Sequence, residues 1–488
     1  MGISSAINSA ASGLAASSRL ADTISNNVAN AMTEGYAKRR TELSSVTLGG
    51  YGSGVRVVGT TRTETVQLTA ERRAMDASVG ATSARSDAYQ QLMTAIGEPG
   101  SDSGLSTLAT NLETALMNAT ASPQSTTVLT NAVQAAKDTA AALNHISDET
   151  TRIRTEADAE INRQVNTLND ALHQIDDINK KIATLSTQGV DVTSLQDQRS
   201  QLIDKISSIV PVKTVKRDGD QIAIYSQNGG VLLDGKVYEL KFSAAANTVT
   251  ADMTLGSGLS GLSQDQNAAG GAVAVSAGTG RGLFDGGSLG ALFEVRDKIV
   301  PEFNAEVDRY ANDLIERFQD LMPASALDAS GQGLFVDSGS GGTTGLAGRI
   351  AVNAAVDTDQ GGAVWRLRDG LSATTPGNTG DGTVLQAMSD AMTTTRDPTG
   401  FVSQNAKADS ATMASEIASF FAGRQARSDD DKAYLTAQQA TLSEQETSET
   451  GVDTDTELQS LTLVEQAYAA NAHVLSVIDE LMKLLLET

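Results

Sequence analysis

The sequence predicts a mainly α-helical protein with an inserted β domain and with long antiparallel helices that pair the two chain ends. Apolar residues recur at alternating steps of three and four near both ends, which is typical of a coiled coil. At Pro211 the pattern changes from a helical to a β period, and helical periodicity returns near Ser288. A chain that leaves along helices, forms β structure and returns along helices suggests nested domains on a rod.

The C-terminal stretch 458–486 has the more regular pattern, with Asn471 as its one polar member. A lone helix of this length is marginal in water, so most of its stability must come from burying the apolar stripe against a partner. The predicted seam consists of Leu461, Val464, Tyr468, Asn471, Leu475, Ile478, Met482 and Leu485.

The N-terminal stretch is the predicted partner, because its stripe alternates in the same way but is thinner. Small side chains facing large ones provide the complement that interdigitated packing requires. We therefore predict that the two chain ends pair; the alternative is two ordinary core helices of a globular domain. The large members of this stripe are Ile3, Ile7, Leu14, Ile24 and Val28, and the small ones include Ala10, Gly13, Ala21 and Ala31.

The pattern divides the chain into four predicted regions. Residues 1–50 with 452–488 form a terminal coiled-coil domain, and residues 51–210 with 285–322 and 401–451 form a helical domain. Residues 211–284 form the inserted β domain, in which two Asp-Gly pairs between β-rich runs predict hairpins. Residues 323–400 are rich in Gly and Ser and are predicted to be loops with sparse strands.

Composition excludes several classes of partner. The 36 basic and 60 acidic residues give a net charge of −24, which argues against nucleic acid and against an anionic membrane surface. No apolar run is long enough to span a membrane, and the N-terminus lacks the features of a cleaved secretory signal. The densest cationic cluster, Lys38-Arg39-Arg40, is either a solvated face or a docking point for an acidic neighbouring subunit.

The sequence offers no candidate catalytic, cofactor-binding or metal-binding residues. The chain has no cysteine, and none of the usual nucleotide-binding, metalloprotease or hydrolase motifs is present. Two acidic runs, 357–361 and 453–457, resemble fragments of calcium loops but are better explained as helix caps or turns. A secreted enzyme with an unrecognised site in 211–400 remains the alternative from a different class.

One short motif follows the first predicted helix: Ala29 and Asn30, then Thr33, then Gly35 and Tyr36. By itself it predicts a helix end that runs into a turn, because Asn30 and Gly35 tolerate positive φ. The motif resembles the signature shared by bacterial flagellar axial proteins, the rod, hook and hook-associated proteins, although the proline usual before the glycine is missing here. The segment 465–472 is similar to the matching C-terminal segment of that family, and 97–105, 197–204 and 287–292 resemble its hook-associated members.

This resemblance implies a structural, non-enzymatic protein at the junction between hook and filament, which self-assembles through its terminal helices. It also implies export through the flagellar type III apparatus, without a cleaved signal peptide, to the extracellular flagellum. The implied partners are other copies of the chain, the hook protein, the second junction protein (hook-associated protein 3) and an export chaperone on the C-terminal helix. Another axial protein, such as a hook subunit, is the nearest alternative.

Overall fold

The computed structural model describes residues 3–48, 51–97, 100–101, 103–265, 272–275, 282–339, 342–396 and 407–486. The chain forms two compact units, each built from separate stretches. The first unit comprises Met1–Val79, Asn166–Glu239 and Leu435–Thr488, and the second comprises Gly80–Val165 and Leu240–Tyr434.

Helices make up most of the described structure. A π-helical turn, Val295–Ile299, connects the helix that ends at Glu294 to the helix that begins at Val300. The helices are α1 (Ile3–Ala29), α2 (Val66–Ile96), α3 (Leu105–Ala121), α4 (Thr126–Thr187), α5 (Thr193–Ser207), α6 (Gly287–Glu294), α7 (Val300–Asp320), α8 (Arg366–Asp369), α9 (Thr383–Thr393), α10 (Ser410–Thr450) and α11 (Thr454–Leu486).

The described strands are short. They are β1 (Arg39–Leu48), β2 (Tyr51–Arg62), β3 (Val212–Lys216), β4 (Ile222–Ser226), β5 (Val231–Leu233), β6 (Leu240–Lys241), β7 (Thr254–Leu255), β8 (Gly258–Leu259), β9 (Leu262–Asp265), β10 (Ala272–Val275), β11 (Phe335–Asp337) and β12 (Ile350–Val352). Within the described residues they form five small sheets: β1–β2, β3–β4–β5, β6–β9–β10, the parallel pair β7–β8, and β11–β12.

In the first unit, the two terminal helices pair as the sequence predicts, and the β1–β2 hairpin also lies against α1. The Ser12 hydroxyl accepts a hydrogen bond from the backbone N–H of Val55 at 3.1 Å, and the Thr23 and Thr41 hydroxyls are 2.6 Å apart. The predicted domain boundary at residue 50 falls between the two strands of this hairpin.

Both predicted Asp-Gly turns are present in the first unit. Gly219 and Gly235 have φ of +70° and +69°, a conformation that glycine adopts without steric cost. The sheet is attached to α4 through Asn179, whose buried amide donates to the Ile222 carbonyl at 2.9 Å. These contacts confirm a mainly helical fold with inserted β structure.

The second unit contains the larger apolar core. Aromatic rings from α7 and α10 meet there: Phe303 and Phe421 make an edge-to-face contact with centroids 4.8 Å apart. Tyr310 is fully buried, with its hydroxyl 3.0 Å from that of Ser410 at the start of α10.

The predicted single β domain at 211–284 is divided between the units, since β3–β5 belong to the first and β6–β10 to the second. Buried polar side chains on α4 hold the segment that contains β6–β10 in the second unit. Arg154 donates to the carbonyls of Thr250 and Met253 at 2.7 and 2.8 Å, and Asp158 accepts from the backbone N–H of Ala245 at 2.7 Å.

Residues 323–400 contain more helix than the sequence indicated. Helix α9 buries Leu385, Met388 and Met392 in the core of the second unit, and Leu367 of α8 is buried there as well. Within the described ranges, no helix is both long and apolar enough to cross a membrane. The division into four domains stays a prediction.

Candidate functional site

The motif after α1 forms a compact turn. The backbone N–H of Thr33 donates to the Asn30 carbonyl at 2.9 Å, and that of Tyr36 donates to the Thr33 carbonyl at 3.1 Å. Ala29 is the last residue of α1. Gly35 has a φ of +76°, whereas Asn30 does not adopt the positive φ that asparagine tolerates. The Asn30 side-chain amide donates to the Asn26 carbonyl at 2.9 Å, and the same carbonyl accepts from the Asn30 backbone N–H at 3.1 Å.

Gly35 is also a point of close approach. A Cβ atom at this position would lie 2.3 Å from Nε2 of Gln201 on α5. That amide donates to the Glu34 carbonyl at 2.6 Å, so the glutamine side chain ties the turn to α5. The positive φ therefore favours glycine here, and any larger side chain would also displace the Gln201 amide from the turn.

Asn27, two residues before the motif, is the polar centre of the first unit. Its side chain is 1 % exposed. Its amide Nδ2 donates to the Arg39 carbonyl at 2.9 Å and to Oε2 of Glu457 at 3.0 Å. Its Oδ1 accepts from the Tyr36 hydroxyl at 2.9 Å and from the Arg39 backbone N–H at 3.0 Å. One amide therefore joins α1, the motif turn, the start of β1 and α11.

Glu457 completes this cluster from the first turn of α11. Its other carboxylate oxygen lies 2.6 Å from Nζ of Lys38, and the residue is 4 % exposed. Four residues earlier, Asp453 caps the helix by accepting from the Asp455 N–H at 3.0 Å and the Thr456 hydroxyl at 2.6 Å. The Thr456 hydroxyl bond lowers the pKa of Asp453. The acidic run 453–457 is thus a helix cap.

The cationic cluster is largely used inside the first unit rather than presented to a neighbour. Lys38 pairs with Glu457, as described. Arg39 pairs with Asp197 at 3.2 Å, and its guanidinium lies 4.7 Å from the centre of the Tyr36 ring. Arg40 is exposed. Because Lys38 and Arg39 are paired within the unit, Arg40 is the member of this cluster left to contact an acidic neighbouring subunit.

Two contacts set the register of α1 against α11. Asn27 meets Glu457, and a Cβ atom at Gly13 would lie 2.8 Å from the Asn471 amide. Moving fourteen residues back along α1 moves the contact fourteen residues forward along α11, so the helices are antiparallel. The polar member of the C-terminal seam thus faces the glycine of the N-terminal one.

The predicted seam residues differ in how deeply they are covered. Ile24 and Ile478 are buried, whereas Ile3, Tyr468 and Met482 are 37, 50 and 43 % exposed. The side chain of Leu485 lies outside the described residues. The half-buried members are Ile7, Leu14, Val28, Leu461, Val464, Asn471 and Leu475.

A second apolar stripe on α11 was missed in the sequence. It comprises positions 463, 467, 470, 474, 477 and 481, all exposed, and is called here the outer stripe. Leu463, Val474, Val477 and Leu481 are 66, 44, 40 and 48 % exposed. The positions of the outer stripe also alternate in steps of four and three, and each lies one residue before a position of the predicted seam. This second alternation in the sequence is the signal that could have revealed the outer stripe.

The motif turn lines a groove of about 680 Å³ in the first unit. Residues of α5 and the segment 443–453 form its other walls, and Met32 in the turn is fully exposed. Arg72 lies in the wall and pairs with Asp204 at 2.6 Å and with Glu446. Arg62 also lines the groove and pairs with Asp197 at 2.6 Å, so both arginines in the charged walls are already paired, and the exposed Met32 is an apolar part of the groove.

A second groove, of about 540 Å³, lies in the second unit within the region considered for an enzymatic site. Burial raises the pKa of both Asp308 and Asp313 in its lining, a property that active-site carboxyls often share. Asp308, however, accepts from the backbone N–H groups of Gly345 and Ala347 at 2.7 and 2.8 Å. Asp313 pairs with Arg317. Both carboxyls thus have structural partners.

In the described part of the chain, no three His, Asp or Glu side chains come together in a group that could hold a metal ion. His173 contacts Glu239 at 2.7 Å on the surface of the first unit. The acidic run 357–361 forms a turn, with Asp357 accepting from the Asp359 N–H and pairing with Lys137 at 3.0 Å.

Two models of known protein families match separate parts of this chain. The family model for the flagellar hook-associated protein FlgK helical domain matches residues 89–335, half of the chain. The model for the flagella basal body rod protein matches residues 7–36, which include most of α1 and the motif turn.

Two relatives of known name are also similar to this chain. Flagellar hook-associated protein 1 of Bacillus subtilis is 30 % identical over 261 residues, covering 48 % of this chain and 51 % of that protein. The Escherichia coli protein of that name is 29 % identical over 249 residues, covering 48 % and 44 %. The chain thus spans about half the length of the curated relatives it matches.

Among solved structures, the flagellar hook junction protein FlgK from Burkholderia pseudomallei aligns with a TM-score of 0.46 and 20 % identity, over 55 % of this chain and 46 % of that one. Since the helical-domain model covers half of the sequence, the chain belongs to the family of the flagellar hook-associated protein FlgK.

Proposed function

We propose that this chain is a structural subunit of the bacterial flagellum, which forms the junction between hook and filament by self-assembly through α1 and α11. The observation that carries the proposal is the outer stripe of α11. An apolar face of this length on a helix already paired with α1 is typical of an interaction surface. The family match and the rod-protein match to residues 7–36 support a flagellar setting for that surface.

The proposed partners follow from the same resemblance. They are other copies of the chain, the hook protein on one side, and the second junction protein (hook-associated protein 3) on the other. An export chaperone would cover the apolar face of α11 before the chain leaves the cell through the type III apparatus, without a cleaved signal peptide. The net charge of −24 disfavours nucleic acid and anionic membranes as additional partners.

A structural rather than enzymatic role is part of the proposal. The buried carboxyls in the second unit are bonded to backbone N–H groups and arginines, as expected of groups that hold loops in place. The proposed function therefore assigns no cofactor and no catalytic residue.

Antibody labelling of isolated flagella tests the location. Flagella from a strain that expresses the chain should carry one labelled band, at the boundary between hook and filament. Label along the whole hook would instead indicate a hook subunit. Recovery of the chain only from the medium, with no label on flagella, would contradict the proposal and favour the secreted-enzyme alternative.

A matched pair of variants tests whether the outer stripe is used. Val474→Asp places a charge on the stripe, and we expect junction labelling and motility to be lost while the isolated chain keeps its helix content by circular dichroism. His473→Asp introduces the same group one residue away, at an exposed polar position, and should assemble normally. Normal junctions with Val474→Asp would show that the stripe is not an assembly surface.

A further inference from the structure

The outer stripe of α11 needs a surface that matches its length and period, and the described structure offers one on α1. Positions 4, 8, 11, 15, 18, 22, 25 and 29 are all exposed and also alternate between steps of four and three. Six of these eight residues are alanine or serine. This surface is called here the small stripe. It lies one residue after the α1 seam positions, so it faces about 100° away from the seam that contacts α11 of the same chain.

The two stripes are complementary in size. Leu463, Val474, Val477 and Leu481 project from the outer stripe, whereas Ala11, Ala15 and Ser18 leave the surface of α1 shallow. The same combination of large and small residues already works within one chain. There α11 comes so close to α1 that a Cβ atom at Gly13 would be 2.8 Å from Asn471. Small residues on one helix allow a second helix to approach closely and to interdigitate its larger side chains.

Charge selects between the possible occupants of the outer stripe. Helix α11 carries five acidic residues and one basic residue, so pairing it with α11 of another copy would bring like charges together. Helix α1 carries only Arg19 and Asp22, which cancel. The second copy can therefore approach through α1 without this repulsion, whereas an approach through α11 is opposed.

We propose that the outer stripe of α11 in one copy packs onto the small stripe of α1 in a neighbouring copy, an inference that rests on the proposed self-assembly. The contact joins two different surfaces, so it is heterologous: every copy offers its outer stripe to one neighbour and its small stripe to another. Contacts of this kind generate rings when the rotation closes and helical arrays when it does not. Each α11 then lies between α1 of its own chain and α1 of the next.

Single cysteines give a direct test, because the natural chain has none. Two differently tagged variants, Ala15→Cys and Val477→Cys, are expressed together, and isolated flagella are treated with a flexible bis-maleimide. We expect the mixed dimer to exceed the Val477→Cys homodimer several-fold. Ala11→Cys and Ser18→Cys in place of Ala15→Cys sample neighbouring registers. Gln466→Cys, at an exposed polar position of α11, is the matched control and should give little mixed dimer.

The outcomes separate the inference from the function on which it rests. Labelling for both tags is measured first, and absence of both variants from the flagella would contradict the proposed self-assembly itself. If both are incorporated, a predominance of Val477→Cys homodimer, or equal yields with Val477→Cys and Gln466→Cys, would overturn the pairing of the two stripes. An excess of the mixed dimer for any of the three α1 positions supports it.

Discussion

At the scale of single residues, Asn27 shows how one side chain can connect segments that are distant in sequence. An asparagine amide has two donor hydrogens and an oxygen that accepts twice, and here all four contacts are made. Its partner Glu457 is 430 residues away. A buried polar group that is fully bonded contributes to stability, whereas the same group with one partner missing is costly. The cluster should therefore respond sharply to the loss of any member.

Tyr36 makes this cluster sensitive to alkaline pH. Burial raises the pKa of Tyr36 above its ordinary value of 10.0, opposed by Arg39 and reinforced by Asp197 and Glu457. A group whose pKa is higher in the folded state stabilises the fold below the unfolded pKa and loses that contribution as the pH rises through the folded value. We therefore expect the free energy of unfolding of the natural chain to fall more steeply above pH 10 than that of Tyr36→Phe.

Urea titrations followed by circular dichroism between pH 8 and 11 measure this difference. At pH 8 the variant should be less stable by roughly 0.5–1.5 kcal/mol, because the Asn27 oxygen loses one donor. Tyr434→Phe removes the hydroxyl of a tyrosine that is 67 % exposed and should leave the curve of the natural chain unchanged. Parallel curves for the natural chain and Tyr36→Phe would show that the phenol does not stabilise the cluster.

At the scale of elements, α1 and α11 form a pair whose closeness depends on Gly13. A larger side chain there must displace the Asn471 amide, which also donates to the Ala467 carbonyl at 3.0 Å. We expect Gly13→Leu to loosen the pair, because the usual cost of overpacking, about 1–3 kcal/mol, outweighs the gain in helix propensity of roughly 0.5–1 kcal/mol. Hydrogen exchange with mass spectrometry should show faster exchange in peptides from 3–29 and 454–486.

Two further variants test whether faster exchange in Gly13→Leu arises from the contact between position 13 and Asn471. Gly13→Leu combined with Asn471→Ala removes the clashing amide and should recover much of the lost protection. Gly423→Leu makes the same change in α10, where a Cβ would meet nothing within 4 Å, and should stabilise its helix by roughly 0.5–1 kcal/mol. If Gly13→Leu left exchange at both ends unchanged, the close approach of the two helices would be wrong.

The elements also show what the sequence could and could not predict. The pairing of the chain ends and the turns at Gly219 and Gly235 were predictable, because heptad periodicity and Asp-Gly chemistry are local signals. The Asn27–Glu457 contact was not, since a buried polar residue reveals nothing in sequence about a partner so far away. Helix α9 was missed because the glycine- and threonine-rich sequence around it suggested loops, whereas burial of Leu385 and Met388 stabilises it.

At the scale of the whole molecule, both compact units are made from stretches that are far apart in the chain. A core of this kind forms only after distant segments meet, so loop-closure entropy opposes its early formation. Fully buried arginines help to hold such segments once they have met. Arg317 on α7 donates to the carbonyls of Ala391 and Ala408 at 2.8 and 3.1 Å, and so joins α7, the end of α9 and the approach to α10.

Replacing that arginine should therefore destabilise the second unit as a whole. Arg317→Met takes the nearest cation from the buried Asp313 carboxyl, which keeps only Arg396 at 3.7 Å, and removes the arginine donor from the Ala391 and Thr394 carbonyls. We expect a loss of about 3–5 kcal/mol. Arg163→Met in α4 removes an exposed pair with Glu160 and should cost less than about 1 kcal/mol. In hydrogen exchange, Arg317→Met should release protection across α3, α7 and α9 together, since these helices share one apolar core. Release confined to residues 391–408 would mean that this arginine fixes one loop and that the unit does not depend on it.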